Sequence, residues 1–404
     1  MSFKEFNFHA EIFEAIEKAG YTTPTSIQYK AIPKILGGFD ICASAQTGTG
    51  KTASFLLPAL QGLLSPCPIK ARGPRVLILV PTRELAMQVS AEAIKFSENL
   101  SRVKTVCLYG GFSYVIQNRQ LSRPYEILVA TPGRLLDHIE RGNIDLGRVQ
   151  LFILDEADRM LDMGFIKPVE QIAGLLPKQR QTLLFSATLG KNVLKLTENL
   201  LTSPLRIQAA AEQAKHENIE QRLQYVNNLN DKNRALDYLL NDASVNQAVI
   251  FTSTKRQAET LLHVLLDQGH SAAALHGDMD QRQRNRTINA MRMGEKRFLV
   301  ATDVAARGID IHTITHVVNF DLPNNVEDYV HRIGRTGRAN AKGTAISLAT
   351  PREKQMVARI EKFTGRKIEL HSIPGFEVDI QAATKPSQRK RHFARRKPNF
   401  RKSP

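Results

Sequence analysis

Short runs of apolar and β-branched residues recur along the chain, separated by segments with the spacing of amphipathic helices. In the first half these runs occupy residues 76–80, 127–130, 151–154 and 182–185. A second series occupies residues 248–251, 272–275, 298–301, 316–319 and 344–348. This alternation predicts βαβ units around a parallel sheet, and because the series stops and returns, it favours two sheets over one.

The length of the chain also favours more than one domain. Its 404 residues exceed the roughly 100–200 residues of an ordinary domain. Residues 209–217, between the two series, are polar and rich in alanine, as is typical of a connector. We therefore predict an α/β domain over residues 1–208, a linker over 209–217, a second α/β domain over 218–370, and a basic, largely disordered tail over 371–404.

The charge of the chain indicates a polyanionic partner. Lys and Arg number 56 against 39 Asp and Glu, a net charge of +17, and nine of these excess positive charges lie in residues 385–404, which contain no acid. Phe393 and Phe400 lie among these cations and could stack on bases. A tail of this kind predicts sequence-independent nucleic-acid binding, while a solubilising or targeting role remains open.

Several classes of protein are disfavoured. There is no run of about 18 apolar residues for a membrane span, and residues 1–13 carry charges where a signal peptide needs an apolar core. We therefore expect a cytoplasmic protein. The three cysteines are scattered without paired Cys-x-x-Cys spacing, so neither a disulfide framework nor a zinc site is expected.

A glycine-rich segment predicts a phosphate-binding loop. Residues 45–52 read AQTGTGKT, follow an apolar stretch at 39–43 and precede a helical pattern. Backbone amides and the positive helix N-terminus suit a phosphate, Lys51 adds a cation and Thr52 a Mg²⁺ ligand. Ala45 stands where Gly is commoner. The ATP contacts expected here are Gln46, Thr47, Gly48, Thr49, Gly50, Lys51 and Thr52.

Two acids end the apolar run at 151–154. Asp155 would hold Mg²⁺, and Glu156 would orient or deprotonate the attacking water. Taken alone, such acids also suit a solvated turn or a helix N-cap. Downstream of a phosphate-binding loop they predict hydrolysis of a nucleoside triphosphate, with ATP and Mg²⁺ as cofactors.

Residues 155–158 read Asp-Glu-Ala-Asp, and with this string the chain resembles the DEAD-box RNA helicases of superfamily 2. The resemblance covers about residues 3–365. It implies two tandem RecA-like domains and an RNA-stimulated ATP hydrolase that unwinds or remodels short RNA duplexes or ribonucleoprotein complexes. The compact two-domain chain with a short basic tail is most similar to the bacterial RhlE type.

The same resemblance assigns further residues to the ATP site. The segment 20–28 is similar to the family's Q motif, in which Gln28 reads the adenine edge and Tyr21 joins the ATP contacts. Phe3, at the position of the upstream aromatic residue, is expected to stack on the adenine ring. In the second domain the resemblance places Asp310 on the ribose and brings Arg335 and Arg338 to the γ-phosphate. With Lys51, Asp155 and Glu156, these two arginines complete the expected catalytic set.

RNA contacts and coupling are likewise implied by resemblance. The segments 81–86, 110–111 and 131–134 of the first domain, with matching strings in the second, are expected to hold the RNA backbone. Ser186 and Thr188, with hydroxyls that could bond Asp158, and His331 are expected to couple hydrolysis to RNA. The expected RNA contacts are Pro81, Thr82, Arg83, Gly111, Thr131, Pro132, Arg134, Thr254, Gly277, Thr302 and Arg307.

The division of the arginines between domains predicts that hydrolysis awaits domain closure, because an arginine finger can add about 10³–10⁵ in rate. RNA is the expected partner, bound through its backbone with little sequence preference and by a monomer. Ribosomal precursors and the RNA-degradation machinery remain open as partners. Two alternatives also remain open: a superfamily 2 DNA helicase, and an RNA-dependent ATPase clamp or assembly platform without processive unwinding.

Overall fold

The structure is a computed structural model that describes residues 2–45, 49–67, 69, 72–208, 218–306, 309, 311, 313–337 and 341–376. The predicted linker at 209–217 and the basic residues 385–404 lie outside the described residues. Within the described part no helix is both long and apolar enough to cross a membrane.

The first domain is built on a seven-stranded parallel sheet. Each of the four predicted runs of this half forms one of its strands. The strands are β1 (Ile41–Ser44), β2 (Val76–Leu79), β3 (Thr105–Leu108), β4 (Ile127–Ala130), β5 (Leu151–Leu154), β6 (Gln181–Ser186) and β7 (Leu205–Gln208). Their spatial order is β3-β4-β2-β5-β6-β1-β7.

Helices cover both faces of this sheet. On β2, Leu77 packs in one apolar cluster and its neighbour Ile78 in another, because successive side chains of a strand point to opposite faces. A short 3₁₀ helix at Phe3–Phe6 precedes the first α-helix. The helices are α1 (Ala10–Lys18), α2 (Ser26–Leu36), α3 (Lys51–Leu63), α4 (Arg83–Phe96), α5 (Tyr114–Leu121), α6 (Pro132–Glu140), α7 (Ala157–Asp162), α8 (Ile166–Gly174) and α9 (Lys191–Leu200).

The second domain repeats the plan of the first. Its sheet also has seven parallel strands, in the order β10-β11-β9-β12-β13-β8-β14, which is the order of the first sheet with each number raised by seven. The strands are β8 (Ile219–Tyr225), β9 (Ala248–Thr252), β10 (Ala272–Leu275), β11 (Phe298–Thr302), β12 (His316–Asn319), β13 (Gly343–Ala349) and β14 (Glu369–Leu370). The helices are α10 (Leu229–Leu240), α11 (Lys255–Asp267), α12 (Gln281–Arg292), α13 (Asp303–Ala306), α14 (Val326–Ile333) and α15 (Lys354–Thr364), with a 3₁₀ turn at Pro351–Glu353.

The packed chain extends past residue 370, where the tail was expected to begin. Ile373 is fully buried, and its N–H donates to Gln224 Oε1 at 2.8 Å. Gln224 Nε2 in turn donates to the carbonyl of Phe376 at 3.1 Å. Residues 371–376 therefore pack on the second domain, because Gln224 satisfies their backbone groups in the interior.

The strand order sorts the predicted motifs into two groups. Parallel strands bring their carboxyl ends to one edge of the sheet, where ligands bind in open α/β folds. The neighbours β5, β6 and β1 carry the predicted nucleotide and coupling segments at that edge. The neighbours β3, β4 and β2 carry the predicted RNA segments. Each group comes from positions far apart in the sequence, so only the fold assembles it.

Candidate nucleotide site and RNA-facing edge

The phosphate-binding segment leads from β1 into α3. Gly50 caps the helix with φ of 86°, a left-handed conformation that favours glycine, and Lys51 and Thr52 form its first turn. The side chain of Lys51 is only 6% exposed, and its Nζ makes no hydrogen bond within the described residues. A buried ammonium group at a helix N-terminus is suited to an anion. The residues Gln46, Thr47 and Gly48 lie outside the described part of the chain.

Asp155 and Glu156 follow β5 and lie beside this helix start. Asp155 Oδ1 is 4.0 Å from Lys51 Nζ, and burial raises the pKa of the Asp155 carboxyl to about 6 although Lys51 opposes this. Glu156 has φ of 55°, a conformation that costs a residue other than glycine roughly 1–2 kcal/mol. Strain of this kind is commonly found where a side chain must be aimed at a functional site.

Arg159 is a residue that the sequence analysis missed. It lies one turn after Glu156 on α7, is 2% exposed, and its Nη1 is 3.2 Å from Glu156 Oε2 in an ion pair without hydrogen-bond geometry. Its guanidinium lines a small crevice whose other walls come from the second domain, including Asp303, His331 and Arg335. Its i, i+3 spacing from Glu156 is a signal that the sequence did contain.

The second domain contributes arginines in two different roles. Arg332 is 2% exposed and binds Asp303 with both Nε and Nη2, at 2.5 and 2.7 Å. Because Asp303 belongs to the same domain, this bidentate pair stabilises the second domain internally. Arg335, the predicted finger, lies in the crevice with Arg159, and its Nη1 donates to the carbonyl of Ile309 at 2.9 Å. Two further predicted ATP-site residues, Asp310 and Arg338, lie outside the described residues, as does Arg307 of the RNA set.

Gln28 binds the phosphate loop itself. Its Oε1 accepts from the N–H of Thr25 at 2.9 Å, and its Nε2 donates to the carbonyl of Gly50 at 3.2 Å. The Thr25 hydroxyl donates to the carbonyl of Thr49 at 2.7 Å. The side chain of Gln28 is fully buried by these contacts. Its contact with adenine stays a prediction, for which each carboxamide atom keeps one further bonding position.

Phe3 packs within the first domain, and its stacking on adenine stays a prediction. Phe3 is 2% exposed, with its ring 5.9 Å from that of Phe6 and 6.2 Å from that of Tyr21, both edge to face. Phe3 thereby supports Tyr21, which is half-buried and also packs on Phe96.

The Asp-Glu-Ala-Asp string is bonded to the segment after β6. Asp158 Oδ2 accepts from the N–H groups of Ala187 and Thr188 at 3.1 and 3.0 Å and from the Thr188 hydroxyl at 3.3 Å. The Ser186 hydroxyl donates instead to the carbonyl of Thr188 at 2.6 Å. Of the two hydroxyls expected to bond Asp158, that of Thr188 does so in the structure and that of Ser186 does not. His331, the other residue expected in coupling, belongs to the second domain and lines the crevice with Arg335.

The first-domain residues predicted for RNA lie at helix starts. Thr82 caps α4 and accepts from the N–H of Leu85, while Thr131 precedes α6 with Pro132 at its first position. Pro81 is buried at the end of β2. Helix N-termini with hydroxyls suit phosphate oxygens.

Gly111 and Arg134, two further predicted RNA contacts of the first domain, each lie against neighbouring side chains. Gly111 has φ of 78°, a conformation that favours glycine, and it lies beside the guanidinium of Arg83. Arg134 lies 4.0 Å over the ring of Tyr114 and donates to Gln117 Oε1 at 2.9 Å.

The second domain offers matching positions. Thr254 caps α11 and is exposed, Gly277 has open space around its Cα, and Thr302 ends β11. They follow β9, β10 and β11, the three neighbouring strands that correspond to β2, β3 and β4.

The helix α12 joins the two domains directly. Arg284 binds Glu84 Oε1 with Nε at 3.0 Å and Nη2 at 2.7 Å, and Arg83 Nη1 donates to Gln281 Oε1 at 2.9 Å. The Arg284 and Glu84 side chains are only 11% and 10% exposed. Arg83 is therefore engaged in an interdomain contact, and Glu84 is a second residue whose role the sequence analysis missed.

Two α/β domains of one topology, the first of which carries a phosphate-binding helix start beside a buried pair of acids, are typical of a nucleoside-triphosphate hydrolase. Models of known families agree. The DEAD/DEAH box helicase model matches residues 25–196, and the helicase conserved C-terminal domain model matches residues 231–340.

Relatives extend the match across both domains. The DEAD-box ATP-dependent RNA helicase RhpA of Helicobacter pylori is 43% identical over 373 residues, which cover 92% of this chain and 74% of that protein. The ATP-dependent RNA helicase SrmB of Haemophilus influenzae is 40% identical over 93% of this chain and 85% of its own length. The chain belongs to the DEAD-box ATP-dependent RNA helicases.

Solved structures are similar to different degrees. Saccharomyces cerevisiae Dbp5 bound to RNA and ADP BeF3 is 30% identical, covers 92% of this chain and 95% of that chain, and has a TM-score of 0.80. Mss116 bound to ssRNA and UDP-BeF is 30% identical, with a TM-score of 0.83. The match covers 92% of this chain and 80% of that chain. A DEAD box protein from Methanococcus jannaschii is 42% identical, and the match covers 92% of this chain and 99% of that chain. Its TM-score is 0.52.

Proposed function

We propose that this RNA helicase hydrolyses ATP at a site that its two domains complete only on closure, and that RNA bound across both domains favours that closed state. One observation carries the proposal. Arg159 pairs with Glu156 of the first domain and shares a crevice with Arg335 of the second. Glu156, which is expected to activate water, and Arg335, the expected arginine finger, therefore both lie beside Arg159.

On the first domain, each residue has a role that its surroundings support. Lys51 offers the β- and γ-phosphates an ammonium group that makes no hydrogen bond within the described residues, and Thr52 offers a hydroxyl. Glu156 orients or deprotonates the attacking water from a strained backbone that aims its carboxylate. Asp158 ties this strand end to the segment after β6, so that a shift at the nucleotide reaches Thr188.

The residues fit a Mg²⁺ ion held by Asp155 and Thr52. Burial raises the pKa of the Asp155 carboxyl to about 6 although Lys51 lies 4.0 Å away, so a divalent cation beside this carboxyl would stabilise its ionised form. Mg²⁺ commonly binds through one or two carboxylates with the substrate phosphates and water. When bound, the ion would neutralise charge on the transferred phosphoryl group.

On the second domain, Arg335 would neutralise charge that develops on the γ-phosphate, with Arg338 and Asp310 completing the site. Arg335 is 5% exposed and bonded to the carbonyl of Ile309, which fixes its direction. An arginine that arrives only with closure makes hydrolysis conditional on whatever drives closure.

RNA is the ligand that would drive closure. The proposed contacts follow three neighbouring strands in each domain, β2, β3 and β4 in one and β9, β10 and β11 in the other. Hydroxyls, glycines and guanidinium groups at such strand ends suit a phosphodiester backbone and give little sequence preference. Because both ligands bridge the domains, RNA and ATP should bind cooperatively.

Similarity to solved structures supports the same view. The structures of Dbp5 and Mss116 that contain RNA superpose on this chain with TM-scores of 0.80 and 0.83 at 30% identity. The fold over both domains is therefore that of proteins that bind RNA together with a nucleotide analogue.

Two experiments test this function. Steady-state ATP hydrolysis should rise on addition of single-stranded RNA and remain near its basal rate with DNA of the same sequence. Equal stimulation by both would favour a DNA-acting superfamily 2 enzyme. A strand-displacement assay with short duplexes should show ATP-dependent separation, whereas stimulated hydrolysis without separation would favour the clamp or assembly platform.

The cellular setting that we propose is ribosome assembly or RNA turnover in the cytoplasm, with the protein acting as a monomer. Ribosomal precursors and the RNA-degradation machinery are the corresponding partners. The absence of a membrane-spanning helix among the described residues is compatible with this setting. Crosslinking the protein to cellular RNA and sequencing the bound fragments would identify the target.

A further inference from the structure

Three large apolar side chains are exposed beside the proposed RNA surface of the first domain. They are Phe112 at 37%, Val115 at 77% and Ile116 at 46% exposure, and we refer to them as the α5 patch. The patch covers the turn after β3 and the first turn of α5 and directly follows Gly111. Exposed apolar residues that cluster in this way are more informative than single ones.

The patch is held rigidly by polar contacts beneath it. Arg134 Nη1 donates both to the carbonyl of Phe112 at 3.2 Å and to Gln117 Oε1 at 2.9 Å. Gln117 is fully buried and donates to the carbonyl of Tyr109 at 3.1 Å. The Arg134 guanidinium also lies 4.0 Å over the ring of Tyr114. Arg134, which is itself a proposed RNA contact, therefore anchors the backbone at Phe112 and the buried Gln117 of α5.

The position of the patch separates it from the nucleotide site. β3 is an edge strand, five strands from β1, which leads into the phosphate-binding helix. At ~4.8 Å between neighbouring strands, this is a distance of about 24 Å. A change in the patch should therefore leave the chemistry of ATP hydrolysis unaltered.

We propose that the α5 patch contacts the bases of RNA nucleotides that are leaving a duplex, and so acts in strand separation. This rests on the proposed RNA surface, with which the patch is continuous. Apolar side chains gain nothing from phosphates, whereas bases that lose their stacking partners expose apolar faces. Gly111 and Arg134 would hold the backbone while Phe112, Val115 and Ile116 shield the parted bases.

The test compares strand separation with ATP hydrolysis in the full chain. The variant Val115→Ser with Ile116→Ser removes apolar surface from two exposed positions, so folding should be unaffected. We expect hydrolysis stimulated by single-stranded RNA to stay within about twofold of the unaltered protein, and the rate of separation of a short RNA duplex to fall at least fivefold. Val115→Leu with Ile116→Leu should keep both activities.

Ile94→Ser is the matched control. Ile94 is 56% exposed on α4 of the same domain, and its replacement should change neither activity. An unaltered separation rate in the double serine variant would overturn the proposal and assign the patch to another partner. A parallel fall in both activities would also overturn it, since the patch would then serve general RNA affinity. Absence of RNA stimulation in the unaltered protein would instead refute the proposed function itself.

Discussion

Arg159 Nη1 lies 3.2 Å from Oε2 of Glu156, and the same guanidinium lines a crevice with Arg335 of the second domain. Both partners of this ion pair are almost fully buried, at 2% and 5% exposure. Removal of one partner of a buried pair leaves the other charge uncompensated, which commonly costs about 3–5 kcal/mol. We therefore propose that Arg159 is a positioning residue for Glu156 at the place where the domains meet.

Replacement of Arg159 by alanine should lower kcat for RNA-stimulated ATP hydrolysis by about tenfold or more, because a misplaced Glu156 carboxylate weakens transition-state stabilisation and each ~1.4 kcal/mol lost there is a factor of ten in rate. The KM for ATP should change little, since Arg159 is not among the residues that hold the nucleotide. Arg159→Lys should restore part of kcat. The measurement is steady-state kinetics with ATP and RNA varied separately. A raised KM with unchanged kcat would contradict the positioning role.

Glu156→Gln should permit ATP and RNA binding but reduce hydrolysis by at least ~10², the smaller end of what a general base contributes. The amide keeps the size of the side chain but cannot accept the proton of water. Equilibrium binding of a fluorescent nucleotide, together with single-turnover hydrolysis, separates the two steps. Normal turnover in this variant would show that another group activates the water.

A fragment of residues 1–208 should bind nucleotide yet show almost no RNA-stimulated hydrolysis. It contains Lys51, Asp155 and Glu156 together with two apolar cores of its own, but it lacks Arg335. Nucleotide titration and RNA-dependent ATPase assays would measure both properties. Strong stimulation in this fragment would refute the requirement for closure.

The Glu84–Arg284 pair should stabilise the closed arrangement, with a coupling energy of about 0.5–3 kcal/mol. A double-mutant cycle to alanine, read out as the RNA concentration for half-maximal ATPase and as the distance between fluorophores on the two domains, would measure it. The Glu126–Arg148 pair is the control, because it lies wholly within the first domain. Its removal should leave the interdomain distance unchanged. Equal effects from both pairs would exclude a specific role in closure.

Deletion of residues 385–404 should weaken RNA binding and flatten its dependence on salt. The segment carries nine Lys or Arg residues, and each phosphate that the shortened chain no longer neutralises reduces the slope of log affinity against log salt by about 0.7 for a single strand. Filter binding or fluorescence anisotropy at several salt concentrations would give the slope. An unchanged slope would assign the tail to solubility or targeting.

The sequence alone determined the architecture, and it supplied the candidate residues for the first half of the site. The fold class is confirmed, because apolar runs of four or five residues between helical patterns have few arrangements other than buried parallel strands. The family is confirmed as well, since its motifs are continuous strings. Lys51, Thr52, Asp155 and Glu156 could be proposed from the sequence because a strand, a turn and a helix start are local, and the chemistry that they suit follows from residue type and spacing.

The tertiary structure decided what depends on contacts between distant segments. Gln28 turns to the carbonyl of Gly50, Phe3 is enclosed by Phe6 and Tyr21, and Arg83 reaches across to Gln281. Neither residue type nor spacing predicts such pairings, because they depend on the order of strands in the sheet and on how the two domains meet. Arg159 illustrates the limit: its spacing from Glu156 is local, but its burial beside Arg335 requires the second domain.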